Sequence, residues 1–301
     1  MRIIENDDID ALRISPATCV RWAEEGLKLK YKSIMPPKTA IHMPESLDFF
    51  MTMPCLLPAE YGLFGCKNAS RFSCSHPSVK SYMMLWDSTT GDLLSLINCD
   101  WITSWRTGAT AALAITTFRK SDAKIYSFMG LGCAGKAALE CFLAVTEHED
   151  KTIRLLRYKN HAENVINEFS HKYRGVKFEI SESITELVSN ADVVVSAITQ
   201  SPGLLIEDEK IFNPGTLLVP IHTRGFQNCD RVFDKIFGDD TGQISGFKHF
   251  NEFKSFDEFS RVLLGMANGR SNNNERIIAY NIGLGLHDVY FAAKILRLIN
   301  L

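Results

Sequence analysis

The sequence predicts an α/β protein, a doubly wound parallel sheet inserted into an α+β domain. Three observations point to it. From Ser121 onward, short apolar runs alternate with helical stretches; runs such as Val193-Val194-Val195 lack two-fold alternation; and a glycine-rich turn joins the first run to the first helix. Strand–helix alternation is the pattern of a doubly wound α/β sheet. A strand apolar on both faces is what a parallel sheet covered on both sides requires.

Ahead of that stretch, Ser78–Asp87 and Asp92–Asn98 read as two strands around Ser88-Thr89-Thr90-Gly91, an antiparallel hairpin. Asp100 stands where it caps a helix running through Ala109, Ala111, Ala112 and Ala114 to about Phe118. Lys124–Met129 then reads as a strand, Gly135–Glu147 as a helix, Thr152–Arg157 as a strand and His161–Tyr173 as a helix. Val176–Ile180, Asp192–Ile198, Gly215–Ile221 and Lys235–Phe237 read as further strands, with a short helix at Ile184–Val188. The tail Ile277–Leu301 has the period of an amphipathic helix and falls outside the alternation. It is expected to return to the N-terminal part, giving one domain from residues 1–118 and 277–301 and a second from 119–276.

Bulk properties exclude several classes. A length of 301 residues suits about two domains, and 46% hydrophobic with 23% charged residues is ordinary for a globular protein. A net charge of −2 gives no global field to hold nucleic acid or an anionic membrane, and the basic cluster Arg154, Arg157 and Lys159 is short and local. Met1–Asp10 is polar and acidic, unlike a secretory leader, and no stretch approaches the roughly 18 apolar residues of a membrane span. Eight scattered cysteines read as free thiols in a reducing compartment, which makes the expected location cytoplasmic. Cys66, Cys74 and His76 have no zinc-like spacing, so no metal is expected.

Gly130-Leu131-Gly132-Cys133-Ala134-Gly135 is a complete G-x-G-x-x-G between a predicted strand and a predicted helix, the context in which the motif has a mechanism. Gly130 permits the tight turn, Gly132 lets the backbone approach a pyrophosphate, and Gly135 allows close helix–strand packing. The free N–H groups of Cys133, Ala134 and their neighbours at the helix start favour an anion. This is a Rossmann dinucleotide site. The second strand ends on Arg157, Tyr158 and Lys159, whereas Glu149 and Asp150 precede it and fall at the other end of the sheet. That charge pattern favours NADP over NAD.

Gly65-Cys66-Lys67, the hairpin, and Arg106-Thr107-Gly108-Ala109-Thr110-Ala111-Ala112-Leu113-Ala114 together resemble the ornithine cyclodeaminase and mu-crystallin family. The Gly130–Gly135 turn, Asp192–Ala197 and Ile282–Asp288 follow in that family's order, so the resemblance spans nearly the whole chain. It implies a substrate-binding and dimerisation domain around the Rossmann unit, a homodimer, and NAD(P)-dependent hydride transfer at the Cα of a small amino or imino acid. It also implies that Lys67 and Arg106 face the substrate carboxylate, that Thr107 lies near the cofactor phosphates, and that Ser196, Ile282 and Gly283 belong to the cofactor site. The family includes reductases, dehydrogenases and ornithine cyclodeaminases. Mu-crystallin adds the alternative of a non-catalytic, NADPH-dependent binder of a small ligand.

The physical case for the two cations stands beside the resemblance. An α-amino acid is held by its carboxylate while Cα–H points at the nicotinamide, and a guanidinium grips carboxylate bidentately. Lys67 can also exchange protons with an amine or imine if burial beside another cation lowers its pKa. Two positions depart from the family. Lys38 stands where an arginine is common, keeping the charge without the fork. His222 stands where ornithine cyclodeaminases carry an aspartate; it can act as acid or base near neutral pH but does not attract an ammonium as a carboxylate does. The departure favours a general amino or imino acid oxidoreductase over a cyclodeaminase. Arg224 suits a second substrate carboxylate.

Overall fold

The computed structural model describes residues 1–75, 77–199, 201, 203–221 and 225–300. His76, His222 and Arg224 therefore lie outside the described residues. The chain divides into two compact units, Met1–Arg106 with Gly283–Leu301, and Thr107–Ile282.

The first unit is built on a six-stranded sheet. In chain order its strands are β1 (Arg2–Ile4), β2 (Thr39–His42), β3 (Phe49–Leu56), β4 (Leu63–Arg71), β5 (Val79–Asp87) and β6 (Leu93–Asn98). Spatially the order is β1-β6-β5-β4-β3-β2, antiparallel except where β1 joins β6. The predicted hairpin is β5–β6. Along β4 every second residue from Leu63 to Arg71 is buried, so Gly65, Lys67, Ala69 and Arg71 share the covered face. Gly65 has no room for a side chain: a Cβ there would lie 2.6 Å from Val289 Cγ2. The C-terminal helix (Gly285–Ile299) covers this face, and its ten buried residues from Gly285 to Ile295 include His287 and Asp288. Helix α1 (Asn6–Asp10) is a single short turn, and α2 (Pro16–Lys28) docks Trp22 edge-on against Phe291 at 5.4 Å between centroids.

Helix α3 (Asp100–Phe118) starts in the first unit and ends in the second. Asp100 is itself the first residue of the helix. Its carboxylate accepts the Ser81 N–H at 2.8 Å and the Ser81 hydroxyl at 3.3 Å, tying the helix start to β5.

The second unit is an eight-stranded, wholly parallel sheet. Its strands are β7 (Ile125–Met129), β8 (Lys151–Leu156), β9 (Val176–Ser181), β10 (Val193–Ser196), β11 (Leu217–Pro220), β12 (Lys235–Gly238), β13 (Phe256–Glu258) and β14 (Ile277–Tyr280). The spatial order β13-β12-β14-β11-β10-β7-β8-β9 reverses direction between β7 and β10, the switch point of a Rossmann sheet. Helices α4 (Cys133–Val145), α5 (His161–Phe169) and α6 (Ile184–Val188) connect its first four strands. Val193, Val194 and Val195 are all essentially inaccessible, as the absence of alternation requires.

Two sequence expectations are corrected here. Ile277–Tyr280 is a strand, wedged between β11 and β12, and the helix begins only at Gly285. An apolar run of four is readable as either element until its partners are known. The division between units accordingly falls at Ile282/Gly283, and at Arg106/Thr107 within α3. Gly108 follows at once in the second unit's share of α3; a Cβ there would meet the Ala137 backbone at 2.4 Å, so α3 and α4 touch backbone to backbone. All eight cysteines are free thiols, and among the described residues no helix is long and apolar enough to cross a membrane.

Candidate active site

In the second unit, the glycine motif sits at the sheet's switch point. β7 ends at Met129, Gly130 turns with φ +81°, and α4 starts at Cys133. A Cβ on Gly130 would lie 2.4 Å from the Ala197 carbonyl carbon, and one on Gly135 would lie 2.1 Å from the Gly130 carbonyl oxygen. Those two glycines are required by the protein itself. Gly132 is different: a Cβ there would meet nothing within 4 Å, and the residue is exposed with Cys133 at the start of a 13-residue helix. The helix N-cap, Gly132, supplies no side chain to the first amides. These residues fit a dinucleotide pyrophosphate, which needs bare backbone N–H groups and open space in front of them. Ser196 ends the neighbouring β10 and is buried, Thr107 is half-buried on α3, and Ile282 is half-buried just beyond β14.

Arg157, Tyr158 and Lys159 are exposed just beyond β8. In the structure Arg157 of this turn is engaged by carboxylates. Arg157 donates from Nε to both Glu182 carboxylate oxygens at 2.8 Å and from Nη1 to Glu163, and these carboxylates hold its pKa above the usual guanidinium value. Lys159 lies over the Tyr158 ring, with Nζ 5.4 Å from its centroid. A cavity of about 650 Å³ also opens in this unit, lined by Ser201, Leu204, Asn228, Asp230, Arg231 and His249 among others. Asp230 accepts the Tyr280 hydroxyl at 2.5 Å, and burial raises its carboxyl to about 6.

In the first unit, the structure brings Lys67 and Arg106 together on one atom. Lys67 Nζ donates to Asp288 Oδ1 at 2.8 Å, and Arg106 Nε donates to the same oxygen at 2.9 Å. Lys67 comes from the middle of β4, Arg106 from α3 and Asp288 from the first turn of the C-terminal helix. Lys67 is 1% exposed and Asp288 0%. The Lys67 ammonium has three protons and two acceptors among the described residues, Asp288 and the Thr103 hydroxyl at 3.3 Å. Burial, then Arg106, lowers the Lys67 pKa to about 8 against the opposing pull of Asp288. Burial alone would raise the Asp288 carboxyl, but Arg106 and Lys67 beside it keep it below the usual range. Next to it, His287 is held to about 4 by burial and by Arg106, so it is neutral at pH 7.

Gly283 belongs to this cluster. Its φ is +88°, and a Cβ would lie 2.4 Å from Arg106 Nη1, so the guanidinium lies flush against that backbone. Lys38 is half-buried just ahead of β2, three residues after Met35, whose sulfur accepts the Leu286 N–H at 3.4 Å. The residue that sequence reading missed is Asp288. A signal was present: an acid within the apolar run Leu286–Ala293 has to be neutralised by something.

The ornithine cyclodeaminase/mu-crystallin family model matches residues 4–298. The nodulation efficiency protein NfeD of Rhizobium meliloti is 25% identical over 279 residues, 86% of this chain and 82% of its own. A Δ(1)-pyrroline-2-carboxylate reductase of Bacillus cereus is 23% identical over 228 residues, 71% of this chain and 70% of its own. Among solved structures, the Thermococcus litoralis Δ(1)-pyrroline-2-carboxylate reductase in complex with NADH and L-proline superposes with a TM-score of 0.86 at 21% identity, over 99% of this chain and 97% of that one. With a match that runs from the first strand to the last helix, the chain belongs to the ornithine cyclodeaminase/mu-crystallin family.

Proposed function

We propose that the protein is an NAD(P)-dependent oxidoreductase that interconverts a small α-imino acid and the corresponding α-amino acid by hydride transfer at Cα. The observation that carries this reading is the buried Lys67–Arg106 pair, two cations fixed within 2.9 Å of one carboxylate oxygen. Burying cations costs several kcal/mol each unless an anion answers them. A substrate carboxylate supplies a second anion, and relatives that reduce Δ(1)-pyrroline-2-carboxylate supply the substrate class.

In this reading Arg106 grips the substrate carboxylate and Lys67 orients it through its third N–H. Reduction of an imine adds a hydride to carbon and a proton to nitrogen, and Lys67 exchanges that proton. The bound dinucleotide supplies or accepts the hydride. Gly130, Gly132, Cys133, Ala134 and Gly135 hold its pyrophosphate, with Thr107, Ser196 and Ile282 completing the contact. Lys38 adds charge for the substrate carboxylate, His222 is the candidate acid or base, and Arg224 suits a second substrate carboxylate. The Arg157–Lys159 turn supports NADP(H), with Glu163 and Glu182 competing for Arg157. The family reading also makes the protein a homodimer, which sedimentation velocity tests.

The deciding assay is loss of NADH or NADPH absorbance with Δ(1)-pyrroline-2-carboxylate, and with α-keto acids plus ammonia. Consumption matched by amino acid formation is expected. Conversion of ornithine to proline without net change in the dinucleotide would identify a cyclodeaminase. Tight dinucleotide binding with no turnover on the whole panel would identify a binder. Fluorescence titration with both dinucleotides separates NADP(H) from NAD(H).

A further inference from the structure

We propose that Asp288 is the positioning residue of the carboxylate site, fixing Lys67 Nζ and Arg106 Nε on its single oxygen Oδ1 and supplying the charge that keeps the Lys67 ammonium intact. This rests on the reading of Lys67 and Arg106 as substrate ligands. It adds a group that belongs to neither β4 nor α3 and sits 221 and 182 residues from the two it controls.

The geometry makes Asp288 a fixed point. The helix that carries it is set against the sheet with no slack: a Cβ on Gly285 would lie 3.0 Å from the Met53 carbonyl oxygen, and a Cβ on Gly65 would overlap Val289. On its other side, His287 Nε2 lies 3.1 Å from the Ala23 carbonyl oxygen and donates to it in the neutral ring. Helix position is therefore locked from β3, β4 and α2 at once. Held there, Asp288 directs Oδ1 to both cations. Its Oδ2 has no hydrogen-bond partner among the described residues. Flexible lysine and arginine side chains lose their freedom to this one rigid acceptor, which is what preorganisation of a carboxylate clamp requires.

Its charge matters as much as its position. Burial and Arg106 both push Lys67 toward the neutral amine, and Asp288, by charge and by hydrogen bond, opposes them. The other groups around Lys67 do not titrate in the same range. Met53 and Met83 flank it on β3 and β5. Cys55 on β3 is pushed up to about 12 and the Cys99 thiol upward as well, while His287 is held to about 4. Burial also lowers Lys151, in the other unit, to about 8, so the Lys67 titration has to be identified by mutation rather than by its midpoint.

The test uses Asp288→Asn and Asp288→Glu in the full-length protein, with two readouts. The first is carbon-13 NMR of labelled lysine Cε, the Lys67 signal being assigned by its absence in Lys67→Arg. The second is kcat/KM against pH in the reductive direction. In Asp288→Asn the Lys67 midpoint falls by at least about one pH unit, and kcat/KM at pH 7 falls about 100-fold. Asp288→Glu keeps the charge but moves the oxygen, so the midpoint stays near that of the wild type while kcat/KM drops about tenfold. A folded Asp288→Asn protein with an unmoved midpoint would overturn the proposal. So would full activity in Asp288→Glu, which decides the matter if the asparagine variant does not fold. A moved midpoint in a protein inactive on every imino and keto acid would overturn the proposed function and leave the control of Lys67 by Asp288 standing.

Discussion

The two candidate sites, one in each unit, are built by opposite physical means. The Rossmann unit uses absence: three glycines, a helix start without a side-chain cap, and open space in front of Gly132. The other unit uses charge, two cations and a carboxylate taken out of water at a junction of three elements. The first device costs little, because backbone N–H groups at a helix start are exposed to solvent in any case. The second is expensive and unforgiving: removing one member of a buried ion cluster costs about 3–5 kcal/mol by stranding the others. The comparison also holds between two buried aspartates. Asp288, flanked by two cations, is held below the usual carboxyl range, whereas Asp230, with a tyrosine hydroxyl as its partner, is raised to about 6.

The largest test of the contrast is Lys67→Ala or Arg106→Ala. Each should lower kcat/KM by at least about 100-fold while leaving dinucleotide affinity, a property of the other unit, unchanged in a fluorescence titration. Wild-type kinetics in either variant would remove that residue from the site. Within the glycine turn, Gly130→Ala and Gly132→Ala should separate. The first forces a side chain onto the Ala197 backbone at φ +81° and should lower stability by about 1–3 kcal/mol in denaturant unfolding, with loss of dinucleotide binding. The second should keep the wild-type melting temperature and weaken the dinucleotide about tenfold, because its methyl meets only the ligand.

Lowering the pH sharpens the difference between the aspartates. His287, held to about 4, leaves the unfolded chain binding more protons below about pH 6.5, so its contribution falls as pH drops from there toward 4. Asp288 acts in the same sense, its stabilisation being lost as its carboxylate protonates at lower pH. Asp230 acts in the opposite sense, because below about 6 the folded state binds the extra proton. Between pH 7 and 5 the His287 loss is about 2 kcal/mol and the Asp230 gain about 1 kcal/mol. Asp230→Asn should therefore steepen the acid loss of stability in urea unfolding; a loss no steeper than that of the wild type would disprove the assignment. Turnover has its own pH dependence. Reductive kcat/KM should fall as pH rises through about 8, where Lys67 gives up its proton.

The smallest expected effect is at the surface. Glu182→Gln removes one of the two carboxylates that engage Arg157. NADPH affinity should rise a few-fold while NADH affinity stays as it was, since exposed ion pairs are weak. Equal change for both dinucleotides would show that Arg157 does not meet the 2′-phosphate.

What could be read from the sequence was what neighbours along the chain decide. The glycine turn is a local device whose strand, spacing and helix start lie within a dozen residues, and the hairpin at Ser88–Gly91 is equally local. Parallel strands with both faces covered announced themselves as Val193-Val194-Val195. Tertiary structure alone decided where strands from distant parts of the chain insert: Ile277–Tyr280 is a strand because β11 and β12 leave it a place between them. It also decided which charges neutralise one another. Arg157 reads as a phosphate ligand until Glu163 of α5 and Glu182 just beyond β9 meet it, and Asp288 reads as one acid in a helix until β4 and α3 bring it Lys67 and Arg106. The reason is physical. Backbone conformation is set by sterics over a few residues, whereas the energy of a charge depends on everything within a few ångströms of it, and most of that comes from elsewhere in the chain.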